Sequence, residues 1–81
     1  MKAFVLINTE LGREANVLES LKGVKGIKSI HGLYGIYDVI VEVEADTMEQ
    51  VKDIVFSSIR GLQDVRSTIT LITYGESFKK D

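Results

Sequence analysis

Residues 3–8, Ala-Phe-Val-Leu-Ile-Asn, carry apolar side chains at odd and even positions alike: Ala3, Val5 and Ile7 against Phe4 and Leu6. A strand turns successive side chains to opposite faces. A run without a polar face therefore predicts a strand that is central in its sheet and covered on both sides. After a turn at Thr9 to Gly12 the period changes. Between residues 13 and 22 apolar positions fall at helical spacing, Ala15 with Leu18 and Val17 with Leu21, while Arg13, Glu14, Asn16, Glu19 and Ser20 are expected to face water. Lys22-Gly23 supplies a basic last turn and a glycine stop. Residues 27–33 predict a second strand, with Ile27 on one face, Lys28 and Ile30 on the other, and a bulge or twist at Gly32.

The second half repeats this order. From Tyr37 to Glu44 the alternation is clean, with Val39, Val41 and Val43 on one side and Ile40, Glu42 and Glu44 on the other. Asp46 followed by Glu49 predicts a capping box, Asp standing in for Ser or Thr. The helix it starts presents Met48, Val51, Val55 and Ile59 as one stripe, with Ile54 beside it, and ends at Arg60-Gly61. Residues 65–73 form the last strand, Ser67, Ile69 and Leu71 opposite Arg66, Thr68, Thr70 and Ile72, and a polar, flexible tail is expected over residues 75–81. The helix exits match: Lys22-Gly23-Val24-Lys25-Gly26-Ile27 against Arg60-Gly61-Leu62-Gln63-Asp64-Val65.

The element order is thus βαββαβ. It predicts an α+β ferredoxin-like plait, a four-stranded antiparallel sheet with two helices on one face. Eighty-one residues make a single domain, residues 1–81, and a chain this short buries only about 60% of its unfolded surface. The helices cover one side of the first strand, yet both sides are apolar; Ile72 and either Ile40 or its neighbouring valines would extend the bare face. A contiguous apolar sheet face marks an interface, so a homodimer stacked through the sheet is expected.

Ten basic and twelve acidic side chains leave a net charge of −2, which argues against a nucleic-acid surface. Sheet-based RNA binding would need aromatics on the central strands, where this chain has Val39, Ile40, Val41 and Val43 beside Glu42 and Glu44. With no cysteine there is no disulfide or thiolate metal site, in keeping with a reducing cytoplasm. Met1-Lys2-Ala3-Phe4 runs straight into a strand without a signal peptide, and no apolar stretch approaches the roughly 18 residues of a membrane span. A cytoplasmic location with no membrane contact is expected, with no metal or cofactor.

Between the halves lies Leu33-Tyr34-Gly35-Ile36-Tyr37-Asp38, preceded by His31-Gly32. Glycine permits positive φ and exposes N–H groups, tyrosine adds a flat surface with a polar tip, and Asp38 adds a charge. The Asp38 carboxylate could accept an ammonium group, or simply close the turn on its own backbone. Gly32 and Gly35 could hold a carboxylate through their N–H groups, or serve turn geometry alone. Thr68 and Thr70 share one side of the last strand and could offer hydroxyls, although threonine is an ordinary strand residue. Tyr34 and Tyr37 suit a ligand side chain or a subunit interface. His31 is the only histidine; without cysteine it makes a poor metal site, no serine near it marks a triad, and it is expected to be structural or to sit at the pocket rim.

Gly35-Ile36-Tyr37-Asp38, followed by an apolar strand, and the threonine-bearing segment Val65-Arg66-Ser67-Thr68-Ile69-Thr70-Leu71-Ile72 resemble the effector-binding (RAM) domain of the Lrp/AsnC feast/famine regulators. The resemblance runs from about Ala3 to Tyr74. It implies an amino-acid-responsive, non-catalytic regulatory module whose site draws on Gly35, Tyr37, Asp38, Thr68 and Thr70; with the neighbouring His31, Gly32 and Tyr34 these make up the expected ligand site. It further implies dimers that assemble into octamers or rings of dimers, with the effector between dimers, and partnership with full-length regulators. Those regulators carry an N-terminal helix-turn-helix domain; here the resemblance begins at the first residues, so a stand-alone form without direct DNA binding is expected. The alternative is a small enzyme of the dimeric α+β barrel type using His31 or a tyrosine as acid-base, since fold does not fix function.

Overall fold

The apolar opening run becomes β1 (Lys2–Thr9), which pairs antiparallel with β3 (Val39–Glu44) on one side and β4 (Val65–Ile72) on the other. β2 (Ile27–Gly32) pairs with the far edge of β3, giving the sheet order β2-β3-β1-β4. α1 (Glu14–Leu21) connects β1 to β2; α2 (Met48–Asp53) and its π-helical continuation (Ile54–Ile59) connect β3 to β4. This is the expected βαββαβ plait. The structure, a computed structural model, describes residues 1–75 and 77–80. Of the tail expected over residues 75–81, Glu76 and Asp81 lie outside the described residues. Residues 77–80 form no regular element.

The core lies between the sheet and the helices. Val5, Ile7, Val39, Val41 and Val43 meet Val17, Leu21, Val55 and Ile59 in one buried cluster. The three valines of β3 all point the same way, as their alternation requires. Removing one such side chain, for example Ile59→Ala, costs about 2–5 kcal/mol through lost burial and the cavity left behind.

Several local expectations are corrected. The buried stripe of α1 runs through Val17 and Leu21, with Glu14 and Leu18 half-buried beside it and Ala15 exposed. Glu14 stands three residues before Val17 and shares its face, whereas Ala15 lies a third of a turn away. The helix stop is Lys22 in right-handed conformation, and the left-handed glycine comes later, at Gly26. The bulge of β2 falls between Ile27 and Ser29, not at Gly32. The extra residue changes the side-chain parity, so Ile27 and Ile30 both pack on the core rather than on opposite faces. The second helix is capped by Thr47, one residue later than expected. Its Oγ1 accepts from the Gln50 N–H at 3.2 Å, and Gln50 Oε1 accepts from the Thr47 N–H at 3.3 Å, a complete capping box.

Val51, Val55 and Ile59 follow one another every four residues, and each is buried. A four-residue spacing overruns the 3.6-residue turn of an α-helix. The wider π-helical turn, closed by the Arg60 N–H on the Val55 carbonyl at 2.8 Å, returns Ile59 to the core.

β4 is registered so that Thr68, Thr70 and Ile72 stand opposite Ile7, Val5 and Ala3. Directly paired residues share a face, so Ile72 lies on the helix side. The uncovered face instead carries Ile69 and Leu71 opposite Leu6 and Phe4, with Ile40 on the other side of Leu6. Ile69 and Leu71 are 43% and 50% exposed. The Lys2–Glu42 ion pair, at 3.7 Å, lies at the end of this apolar stripe.

Candidate functional site

The β2–β3 connection is fastened at its base and free at its tip. The Leu33 N–H donates to the Asp38 carbonyl at 2.8 Å, and the Asp38 N–H donates to the Ile7 carbonyl at 3.0 Å. Asp38 Oδ2 accepts two further bonds, from the Thr9 N–H at 2.8 Å and from Thr9 Oγ1 at 3.2 Å. One carboxylate thus ties the central connection to the end of β1, where Thr9 is almost fully buried. Asp38 Oδ1 makes no hydrogen bond among the described residues.

Beyond that clamp the chain projects. Tyr34 and Ile36 are fully or almost fully exposed. Gly35 sits at φ +147°, and a side chain there would meet no atom within 4 Å. Glycine is therefore required by the backbone conformation and not by crowding. The Gly35 N–H has no partner among the described residues.

Between this bend and the first turn of α1 opens a cleft of about 560 Å³. Glu14 and Leu18 form its helix wall; Gly32 to Gly35 and Asp38 form the other. The cleft thus brings together Gly32, Tyr34, Gly35 and Asp38 of the expected site. Apolar walls with a few convergent polar groups are the usual make-up of a small-ligand site.

The remaining expected residues lie elsewhere. His31 pairs across the sheet with Ile40, which puts it on the uncovered face. It forms no hydrogen bond to an acid or base among the described residues. Tyr37 is half-buried and does not line the cleft. Thr68 and Thr70 open onto a second, smaller cleft of about 320 Å³ beneath α2 and its π-helical turn, walled by Val55, Phe56, Arg60 and Ile72. The Arg60 guanidinium lies 5.1 Å above the Phe56 ring there, a cation–π contact. Within one chain Asp38 and the two threonines therefore face separate clefts.

Glu14, Leu18 and Thr9 are the residues that reading the sequence missed. The signal for Glu14 was present in its spacing from Val17, but its charge argued for water. Among the described residues no three His, Cys, Asp or Glu side chains come together to hold a metal ion, and no helix is long and apolar enough to cross a membrane.

Comparison with known proteins adds to this geometry. Residues 2–80 match the family model described as the Lrp/AsnC ligand binding domain. No curated protein sequence matches the chain significantly. Among solved structures, FFRP-DM1 is 34% identical with a TM-score of 0.85, the match covering 90% of this chain and 97% of that one. The hypothetical protein PHS023 from Pyrococcus horikoshii is 35% identical with a TM-score of 0.83, covering 93% and 90%. The transcriptional regulator NMB0573 from Neisseria meningitidis, solved as its L-Met complex, has a TM-score of 0.83 at 15% identity. That match covers 96% of this chain and 52% of the regulator, a likeness of fold alone.

Proposed function

The chain belongs to the Lrp/AsnC ligand-binding-domain family, and from that premise we propose that it is an amino-acid-sensing regulatory module that works as an assembly of copies. The observation that carries the reading is that Asp38 and Gly35 both line the cleft beside α1 with a polar group to spare: among the described residues Asp38 keeps one carboxylate oxygen without a partner, and the Gly35 N–H is unengaged. The first suits the α-ammonium of an amino acid and the second its α-carboxylate. A charge-assisted bond of this kind contributes about 1.5–3 kcal/mol. The L-Met complex of NMB0573 is in keeping with an amino acid as the effector.

Assembly enters the proposal for two physical reasons. The stripe of Phe4, Leu6, Ile40, Ile69 and Leu71 is an apolar sheet face that no helix or strand among the described residues covers, so a second copy is the proposed cover. Thr68 and Thr70 can join Asp38 around one ligand only if they come from another copy, which suits an effector held between dimers. The proposed output is a change in how copies, or full-length members of the family, associate.

Calorimetric titration of the wild-type protein across the twenty amino acids tests the reading. Measurable heat and a thermal shift with at least one of them, both lost in Asp38→Asn, are expected. Silence across the whole set removes the proposal.

A further inference from the structure

Two carboxylates, Glu14 and Asp38, line the cleft beside α1, and no Lys or Arg lines it. Neither takes part in an ion pair among the described residues, whereas nearby Glu10 lies 3.9 Å from Arg66 and Glu19 lies 3.0 Å from Lys22. Arg13, next to Glu14 in the chain, belongs to a different hollow, with Asn16, Glu19 and Gln63. Glu14 is half-buried on the stripe that α1 turns toward the sheet and lines the cleft wall.

From this we infer that the effector of the cleft carries two cationic centres and is a basic amino acid of the lysine, ornithine or arginine type. The inference rests on the amino-acid site proposed above and assigns Glu14 as its specificity-determining residue. Asp38 takes the α-ammonium. Leu18 and Leu33 line the path of the methylene chain, and Glu14 meets the terminal cation. The exposed ring of Tyr34 stands at the mouth, where it can lie over that cation. A neutral side chain in the same position would leave the Glu14 carboxylate half-desolvated with nothing to compensate it. One added charge-assisted contact corresponds to about a ten- to hundredfold gain in affinity.

The test compares lysine with norleucine, which has the same carbon chain and no terminal ammonium, by calorimetry on the full chain in its native oligomeric state. Lysine is expected to bind at least tenfold more tightly than norleucine. Glu14→Gln is expected to bring that ratio close to one, while Glu19→Gln, on the same helix outside the cleft, preserves it. Equal affinities for the two ligands in the wild type, or a ratio that survives Glu14→Gln, overturns the dicationic effector and leaves the amino-acid site standing. Absence of binding by any amino acid overturns both.

Discussion

Gly26 and Asp64 stand at the same step of the two halves of the chain. Each directly precedes an edge strand, each has a left-handed backbone (φ +98° and +74°), and each offers its carbonyl to a backbone N–H at or just past the end of the neighbouring strand. The Gly26 carbonyl accepts from the Glu44 N–H at 2.9 Å, the Asp64 carbonyl from the Glu10 N–H at 2.7 Å. The matched helix exits seen in the sequence are thus a matched conformation, built once with the residue that suits it and once with a residue that tolerates it.

That asymmetry predicts opposite outcomes for two substitutions. Asp64→Gly relieves a left-handed non-glycine residue and is expected to raise stability by about 0.5–1 kcal/mol, the strain relief being partly offset by a more flexible unfolded chain. Gly26→Ala is expected to lower it by about 1–3 kcal/mol. Its new Cβ would lie 2.6 Å from Ile54 Cδ1, which can swing aside, but the left-handed strain would remain. Urea unfolding at fixed protein concentration measures both; equal signs would refute the comparison.

Thr47→Ala removes the acceptor of the Gln50 N–H and is expected to cost about 1 kcal/mol. Asp46→Ala, one residue earlier, leaves the cap intact and should change stability by under about 0.5 kcal/mol. The reverse ranking in thermal melts would move the helix start back to Asp46.

Asp38 has a structural role and a proposed binding role, and two substitutions separate them. Asn keeps an acceptor for the Thr9 N–H but loses the charge, so Asp38→Asn is expected to fold normally and fail to bind amino acids. Asp38→Ala leaves that buried N–H without a partner and should cost about 1–3 kcal/mol in addition. Urea midpoints alongside calorimetric titrations distinguish them, and indistinguishable stabilities would show that the Thr9 contact contributes nothing.

Leu71→Lys puts a charge on the uncovered apolar stripe, at an edge-strand position already half exposed, so the single chain loses little. If two copies meet through this face, the variant is expected to shift from dimer to monomer in sedimentation equilibrium at micromolar concentration. A wild-type protein that sediments as a monomer would remove the stacked-sheet interface altogether.

Element order, the common face shared by the β3 valines and the placing of Gly35 and Asp38 in one short connection were legible in the chain alone; that the valines turn to the helices was not. Hydrophobic period and turn chemistry are local signals, spelled out within a few residues. Tertiary structure decided which side of β4 faces the helices, that His31 lies on the open face, that Glu14 belongs to the cleft wall and that Thr68 and Thr70 look into a different cleft from Asp38. Those outcomes depend on register: a one-residue change of pairing, such as the bulge after Ile27, reverses every side chain beyond it, and register is set by strands that are distant in sequence.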